Sequence, residues 1–194
     1  MYEYISGKIA QTTPAYVIIE NSGIGYFINI SLYTFEALKD QKETRLYIYE
    51  HIREDAHALY GFAEAREREL FQLLVSVSGI GANTARMMLS SLPPDEIHQA
   101  ISSENVNQIK SIKGIGLKTA QRVIVDLKDK IGKTGDEGQK LPAAEDNTKA
   151  DQALSALVML GFSKNPSQKV IDKLLRENPG TRVEDIIKLA LKML

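Results

Sequence analysis

The chain of 194 residues contains no cysteine and no tryptophan. Without cysteine, disulfides and thiolate zinc sites are excluded, and the composition is typical of proteins of a reducing cytoplasm. No apolar run approaches the ~20 residues that a membrane-spanning helix needs. The opening segment MYEYISGKIA also lacks the basic stretch and apolar core of a secretory signal. We therefore expect a cytoplasmic protein without a membrane partner.

The chain lacks any excess of positive charge, because 24 Lys/Arg stand against 25 Asp/Glu and the net charge is −1. This balance is not typical of nucleic-acid-binding proteins, which are usually basic. The charge is uneven, however: residues 1–64 contain 5 Lys/Arg and 9 Asp/Glu, whereas residues 65–131 contain 9 and 7. Any surface that binds an anion is therefore expected in the middle third of the chain.

The pattern along the chain predicts three folded parts and one linker. Residues 1–63 contain β-branched and aromatic runs such as AYVIIEN and RLYIYEHI, and five or so short strands are typical of an OB-fold barrel. Apolar residues recur at helical spacing over residues 64–131. Residues 132–149 hold one large apolar residue and predict a flexible linker. Residues 150–194 contain three helical patterns, so the predicted class is α+β and multidomain, ending in a small three-helix domain.

One eight-residue motif occurs in two similar copies, 35 residues apart: SGIGANTA begins at Ser78 and KGIGLKTA begins at Lys113. Each copy lies between two apolar helical patterns, which predicts a helix–hairpin–helix. Two such units in tandem can pack around a pseudo-two-fold axis. A shorter SGIG at residues 22–25 lies between two predicted strands, and we interpret it as a β-turn only.

The glycines of the repeat indicate an anion site. Glycine permits positive φ and close backbone approach, and the N–H groups that open the following helix can bind a phosphate. Phosphate contacts position a protein on DNA without reading bases, and Arg86 and Lys110 add charge nearby. The isoleucine between the glycines is expected to point inward. The predicted phosphate-binding residues are Gly79, Gly81, Asn83, Thr84, Lys113, Gly114, Gly116, Lys118, Thr119 and Arg122.

The repeat has three alternative interpretations. A dinucleotide-binding fingerprint requires an alanine or glycine one position earlier than Ala85 and Ala120. A phosphate loop requires glycine directly before lysine, but Leu117 separates Gly116 from Lys118. Helix packing without any ligand remains open, although two copies with basic flanks argue against it.

Catalysis and metal binding have little support in the sequence. His51 and His57 could face each other across a hairpin, but no carboxylate pattern completes a metal site. Asp126 and Asp129 follow the second copy of the motif, as a glycosylase or nuclease of this class would need, yet their helix is rich in ordinary surface charge. We predict no catalytic residue, no metal and no cofactor. A generic helix–hairpin–helix repair protein and a generic interaction module remain alternatives.

The segments REDAHALYGF, GIGANTA, KGIGLKTAQRVIVDLKDK and ALSALVMLGF occur in this order along the chain. With them, the whole chain resembles the RuvA family of Holliday-junction-binding subunits. The resemblance implies an OB-fold domain, a domain with two hairpins and a mobile C-terminal domain. It implies a homotetramer, or two tetramers face to face, on a four-way DNA junction in recombination, DNA repair and the SOS response.

The resemblance also implies partners. The C-terminal domain would contact a RuvB-type hexameric ATPase that drives branch migration, and a RuvC-type resolvase could join the complex. The chain itself would be a non-catalytic subunit. The residues assigned to partner binding are Leu157, Leu160, Gly161 and Phe162.

Two further expectations come from the resemblance. Glu54 and Asp55 would form an acidic pin at the centre of the tetramer, where their carboxylates repel phosphates and discourage binding of plain duplex. Asn83 departs from the family pattern, in which a lysine is common. Asn83 can donate a hydrogen bond to a phosphate but adds no charge, so we expect the first hairpin to bind more weakly.

Overall fold

The structure is a computed structural model that describes residues 1–54, 56–134, 149–178 and 180–194. It divides into two compact units, Met1–Asp136 and Glu137–Leu194. Within the described ranges, no helix is both long and apolar enough to cross a membrane.

The first unit begins with a closed five-stranded barrel in the order β1-β2-β3-β5-β4. The β3–β5 pair is parallel and the other pairs are antiparallel. This barrel confirms the predicted OB-type domain. Its elements are β1 (Tyr4–Thr12), β2 (Tyr16–Asn21), β3 (Ile24–Ile30), α1 (Leu32–Leu38), β4 (Glu43–Ile52) and β5 (His57–Phe62).

The first SGIG forms the turn between β2 and β3. Ser22 and Gly23 adopt positive φ values of 51° and 81°, the pattern of a two-residue turn that matches the twist of its strands. Gly25 already belongs to β3. The short motif is therefore a turn between strands, as its flanks predicted.

Alternation along β5 divides its side chains between two cores. The barrel core includes Ile28, Leu46 and Ile48, whereas Tyr60 and Phe62 belong to the core of the helices that follow. Gly61 lies between Tyr60 and Phe62 in the sequence and faces the barrel core. A Cβ at this position would come within 2.5 Å of the Ile28 side chain. Only glycine lets β5 approach the barrel core this closely.

Five helices follow the barrel and share one core with β5. The Pro93-Pro94 pair separates α3 from α4, and Pro94 occupies the first turn of α4, where its missing N–H costs nothing. The bounds are α2 (Ala65–Val75), α3 (Ala82–Ser91), α4 (Pro94–Ser102), α5 (Val106–Lys110) and α6 (Leu117–Thr134).

A buried carboxyl connects the barrel to α2. Glu67 is completely buried, and its two oxygens accept hydrogen bonds from Ser31 Oγ at 2.5 Å and Thr34 Oγ1 at 2.6 Å. Ser31 also caps α1, because its hydroxyl accepts from the Thr34 N–H at 3.0 Å. Burial raises the pKa of Glu67, and the two hydroxyl donors offset this only in part.

The second unit contains α7 (Lys149–Met159), α8 (Lys164–Glu177) and α9 (Val183–Ala190), at the three places where helical patterns were predicted. Leu157, Ile171 and Ile186 are fully buried at its centre. Helix α6 continues to Thr134, three residues into the predicted linker. Residues 135–148 of that linker lie outside the described residues, and its last residue, Lys149, begins α7.

Candidate nucleic-acid interface

The two glycine-rich turns have the same conformation. Gly79 and Gly114 have φ values of +95° and +87°, which other residues rarely adopt. Ile80 and Ile115 are each only 5% exposed and pack into the helical core. The prediction that these isoleucines point inward is confirmed, and they hold both turns to the core.

Main-chain hydrogen bonds repeat with the same offset of 35 residues. The N–H of Ile80 donates to Val77 O and the N–H of Ile115 donates to Ile112 O, each at 3.0 Å. After each turn the helix begins in the same way, with the N–H of Ala85 or Ala120 donating to the second glycine of its turn at 2.9 Å. The repeat in sequence is therefore a repeat in structure.

The second glycine of each turn lies in open space. A Cβ built on Gly81 or Gly116 would meet no atom within 4 Å. Main-chain N–H groups are also unpaired here, and N–H groups at the beginning of a helix attract anions. Within the described part of the chain, no hydrogen-bond acceptor is found for the N–H groups of Gly81, Ala82, Asn83, Thr84, Gly116, Leu117, Lys118 and Thr119.

Exposed cations cluster at the second turn. Lys113, Lys118 and Arg122 are all exposed there. The aligned positions in the first turn carry Ser78, Asn83 and Met87, none of which is charged. Arg86 is the nearest cation to the first turn in sequence, but its Nη1 donates to the main-chain oxygen of Ala15 at 2.8 Å, which holds the side chain against the barrel.

Asn83 has a partner in the barrel. Its Oδ1 accepts a hydrogen bond from the Tyr60 hydroxyl at 3.1 Å, while the residue as a whole is exposed. The first turn is also held by the second hairpin, because Arg122 Nη1 donates to the main-chain oxygen of Ser78 at 3.1 Å. Neither contact was apparent from the sequence, since both join residues far apart in the chain.

The acidic turn connects β4 to β5. The N–H of Arg53 donates to Ala56 O at 2.7 Å and closes the turn. Glu54 is exposed at its end, and Asp55 lies outside the described residues. The turn directly precedes β5, the strand that carries Tyr60.

The histidines and aspartates considered for other chemistry are dispersed. His51 pairs with Ala58 and His57 pairs with Ile52, so successive residues place the two rings on opposite faces of the hairpin. They do not face each other as the sequence had suggested. Asp126 and Asp129 are exposed on α6, and the described ranges contain no group of three or more residues suited to hold a metal ion.

The residues assigned to partner binding separate into buried and exposed positions. Leu157 is fully buried and contributes to the core of its unit, and Phe162 packs against that core. Leu160 is 60% exposed, and Gly161 turns the chain with φ of +96°. Two neighbours that sequence reasoning missed, Val158 and Met159, extend the exposed apolar surface.

Taken together, the barrel and the paired turns define a class: an OB-type domain followed by a tandem helix–hairpin–helix domain whose glycine turns are open and have unpaired N–H groups. Models of known families match in the same order. The RuvA N terminal domain matches residues 1–61, a SAM-like helix-hairpin-helix tandem matches 71–129, and the RuvA C-terminal domain matches 148–194.

Several relatives match along the entire chain. The Holliday junction branch migration complex subunit RuvA of Bacteroides fragilis is 55% identical over 203 residues, with all of both chains covered. The subunits of the same name from Bacteroides thetaiotaomicron and Christiangramia forsetii are 54% and 52% identical, again with full coverage of both chains. The chain belongs to the RuvA family.

Proposed function

We propose that this chain is the junction-binding subunit of a branch migration complex. Its relatives are named as subunits of a Holliday junction branch migration complex. The observation that carries the proposal is the pair of glycine turns, each with unpaired N–H groups, on one core. Such sites fit phosphates, which every DNA sequence offers. The acidic turn on the adjoining hairpin supplies the discrimination that phosphate contacts lack.

At each turn the glycines and the helix N-terminus would hold one phosphate. Gly81 and Gly116 leave room for its oxygens, while Gly79 and Gly114 supply the conformation. The N–H groups after each turn would donate to the oxygens, together with the side chains of Asn83, Thr84, Lys118 and Thr119. Lys113 and Arg122 would add charge at the second turn. Binding is therefore expected to be independent of base sequence and sensitive to salt.

Glu54 and Asp55 would act by repulsion. A duplex that continued straight across the site would bring its phosphates against these carboxylates, and the repulsion increases where water is excluded. A four-way junction opens at its centre and avoids that contact. The acidic turn would then favour junctions over linear duplex and hold the strands apart.

The proposed assembly matches the symmetry of the DNA. Four copies of the chain around a four-fold axis would place one pair of hairpins on each arm, and two such tetramers could enclose the junction. We assign the second unit to a RuvB-type hexameric ATPase, with Leu160 and its exposed neighbours as the contact. A RuvC-type resolvase is a further partner. Since the DNA of a bacterium lies in its cytoplasm, we place the protein there.

The first experiment is a competition. A labelled four-way junction is bound by the full chain, and unlabelled junction or unlabelled duplex of the same sequences is added at one fixed salt concentration. We expect the junction to compete far better than the duplex. Equal competition would mean that the chain binds DNA backbones without reading branched shape, and the proposed function would be wrong.

The motor assignment has its own test. Leu160→Asp should reduce the stimulation of ATP hydrolysis by a RuvB-type motor on junction DNA, because a charge would enter an apolar contact. Lys169→Gln, at another exposed position of the same unit, serves as the control. If Leu160→Asp stimulates the motor as well as the unchanged chain does, Leu160 is not part of the contact.

A further inference from the structure

The first hairpin needs a different source of binding strength from the second. The second hairpin has three exposed cations, whereas the aligned positions of the first are Ser78, Asn83 and Met87. Asn83 is the one residue of these three with a side chain that offers N–H donors to an anion. Its usefulness depends on orientation, because an amide has two N–H donors on one side and a carbonyl oxygen, which repels phosphate, on the other.

The Tyr60 hydroxyl fixes that orientation. It donates to Asn83 Oδ1 at 3.1 Å, so the carbonyl oxygen is turned toward the barrel and the NH₂ group away from it. A free asparagine on the surface would sample both orientations, and half of them would present the wrong atom. Holding the side chain in one orientation beforehand removes that loss when the phosphate binds.

Tyr60 is suited to act as a fixed donor. The residue is only 4% exposed, and its ring contacts Phe71 with the ring centres 5.2 Å apart. Burial raises the pKa of the Tyr60 hydroxyl, although the positive charges of Arg86 and Arg53 act in the opposite direction. The phenol therefore keeps its proton at neutral pH and has it available for Asn83.

We propose that Tyr60 is the positioning residue of the first phosphate site, and that it acts by directing the Asn83 amide toward the DNA. This proposal rests on the proposed function, since it assumes that the hairpin binds a phosphate. Because Tyr60 belongs to the strand that leaves the acidic turn, the same hydrogen bond fixes the first phosphate site relative to Glu54. Tyr60 itself would not touch the DNA.

The test is a double-mutant cycle on junction affinity. Tyr60→Phe and Asn83→Ala should each weaken binding about three- to tenfold, the loss expected for one hydrogen bond. The double variant should be no weaker than Asn83→Ala alone, because Tyr60 acts only through Asn83. Both changes remove neutral groups, so the dependence of affinity on salt should not change.

Two controls separate the possible outcomes. Tyr33→Phe removes another partly buried hydroxyl of the same unit, which donates to Glu64 at 3.4 Å, and should leave affinity unchanged. Lys118→Gln tests the proposed function itself, and should weaken binding and lower the salt slope by about 1. Urea unfolding of every variant reports any change in stability.

Each result has one meaning. If Lys118→Gln weakens binding and Tyr60→Phe does not, the positioning role is wrong and the proposed function stands. Losses that add in the double variant, or a loss in Tyr60→Phe that follows a fall in stability, also overturn the positioning role. If Lys118→Gln binds junctions as the unchanged chain does, the failure lies in the proposed phosphate sites.

Discussion

Arg122 and Ser78 lie in different hairpins, yet the guanidinium of one donates to the main-chain oxygen of the other at 3.1 Å. The contact has a counterpart in the opposite direction. Met87, which aligns with Arg122, has its methyl group 3.3 Å from where a Cβ of Gly114 would lie. Each hairpin thus places one side chain on the turn of the other, as packing around a pseudo-two-fold axis requires.

Arg122 therefore has two separable properties, its charge and its hydrogen bond to the first turn. We expect Arg122→Lys to leave the salt dependence of junction binding unchanged. The junction affinity itself should fall about threefold, because lysine lacks the fork that reaches Ser78. Arg122→Met, which copies the aligned residue, should also lower the salt slope by about 1. Titrations at several salt concentrations measure both. Equal salt slopes for Arg122→Met and the unchanged chain would show that Arg122 contacts no phosphate.

Gly116 tests the open space at the second turn. Gly116→Val should weaken binding to junction and duplex alike by about tenfold or more, because the side chain would occupy the phosphate position and block charge-assisted hydrogen bonds. The fold should not suffer, since a Cβ there meets no atom within 4 Å. Affinity and melting temperature are measured together.

Gly180 provides the matched control for that substitution, because a Cβ there is equally unobstructed and it lies in the second unit. Gly180→Val should bind DNA normally. Normal DNA binding by a folded Gly116→Val variant would remove the second turn from the interface.

Substitutions in the acidic turn are expected to raise DNA affinity, whereas those at Gly116 lower it. Glu54→Gln combined with Asp55→Asn should tighten binding to linear duplex while binding to the junction survives. Removing two negative charges lowers the repulsion of phosphates. The same change at Glu36 and Asp40, exposed acidic residues at α1 and just beyond it, controls for net charge. A duplex affinity that changes equally in both double variants would count against the pin.

The buried carboxyl of Glu67 should make the free energy of unfolding depend on pH. Its pKa in the folded chain is raised above the ordinary value of 4.5, so the folded state holds the proton more tightly than the unfolded state. The stabilisation is complete below pH 4.5 and is lost as the pH rises through the raised pKa. Urea unfolding measured from pH 4.5 upward should show this decrease.

Glu67→Gln should flatten the decrease, because glutamine does not titrate. Its amide can still bond to both Ser31 and Thr34, so we expect unfolding free energy at neutral pH to change by less than about 1 kcal/mol. Glu67→Ala should cost about 2–4 kcal/mol, since it leaves a cavity and two buried hydroxyls without their acceptor. A slope with pH that persists in Glu67→Gln would assign the effect to another group.

The helical hairpins could be predicted from the sequence because their signals are local. Each turn is specified by a motif of eight residues. The inward position of the isoleucine could be predicted because a glycine stands on either side of it. The barrel was predictable for the same reason, since each strand is a short run of β-branched and aromatic residues. These parts need no knowledge of which distant residues meet.

Contacts between distant residues could not be predicted. Glu67 stands among other charged residues in AREREL, and nothing local separates it from a solvated carboxylate. Its burial depends on two hydroxyls more than thirty residues earlier. The hydrogen bond from Tyr60 to Asn83 is hidden in the same way, because it joins a strand to a helix. Leu157 is a further case, since its apolar face could be found from the sequence, whereas the complete burial of its side chain in its own unit could not.

The position of β5 determines when the barrel can close during synthesis. This strand lies between β3 and β4 in the closed barrel, so a nascent chain that ends before it can form only an open sheet with two unpaired edges. Its other face gives Tyr60 and Phe62 to the helices that follow. The barrel can therefore close only after β5 has left the ribosome, and β5 is fully covered only when those helices have emerged as well. A ribosome that pauses when β5 has emerged and the helices after it have not would hold a closed barrel with an exposed aromatic face, the state most in need of a chaperone.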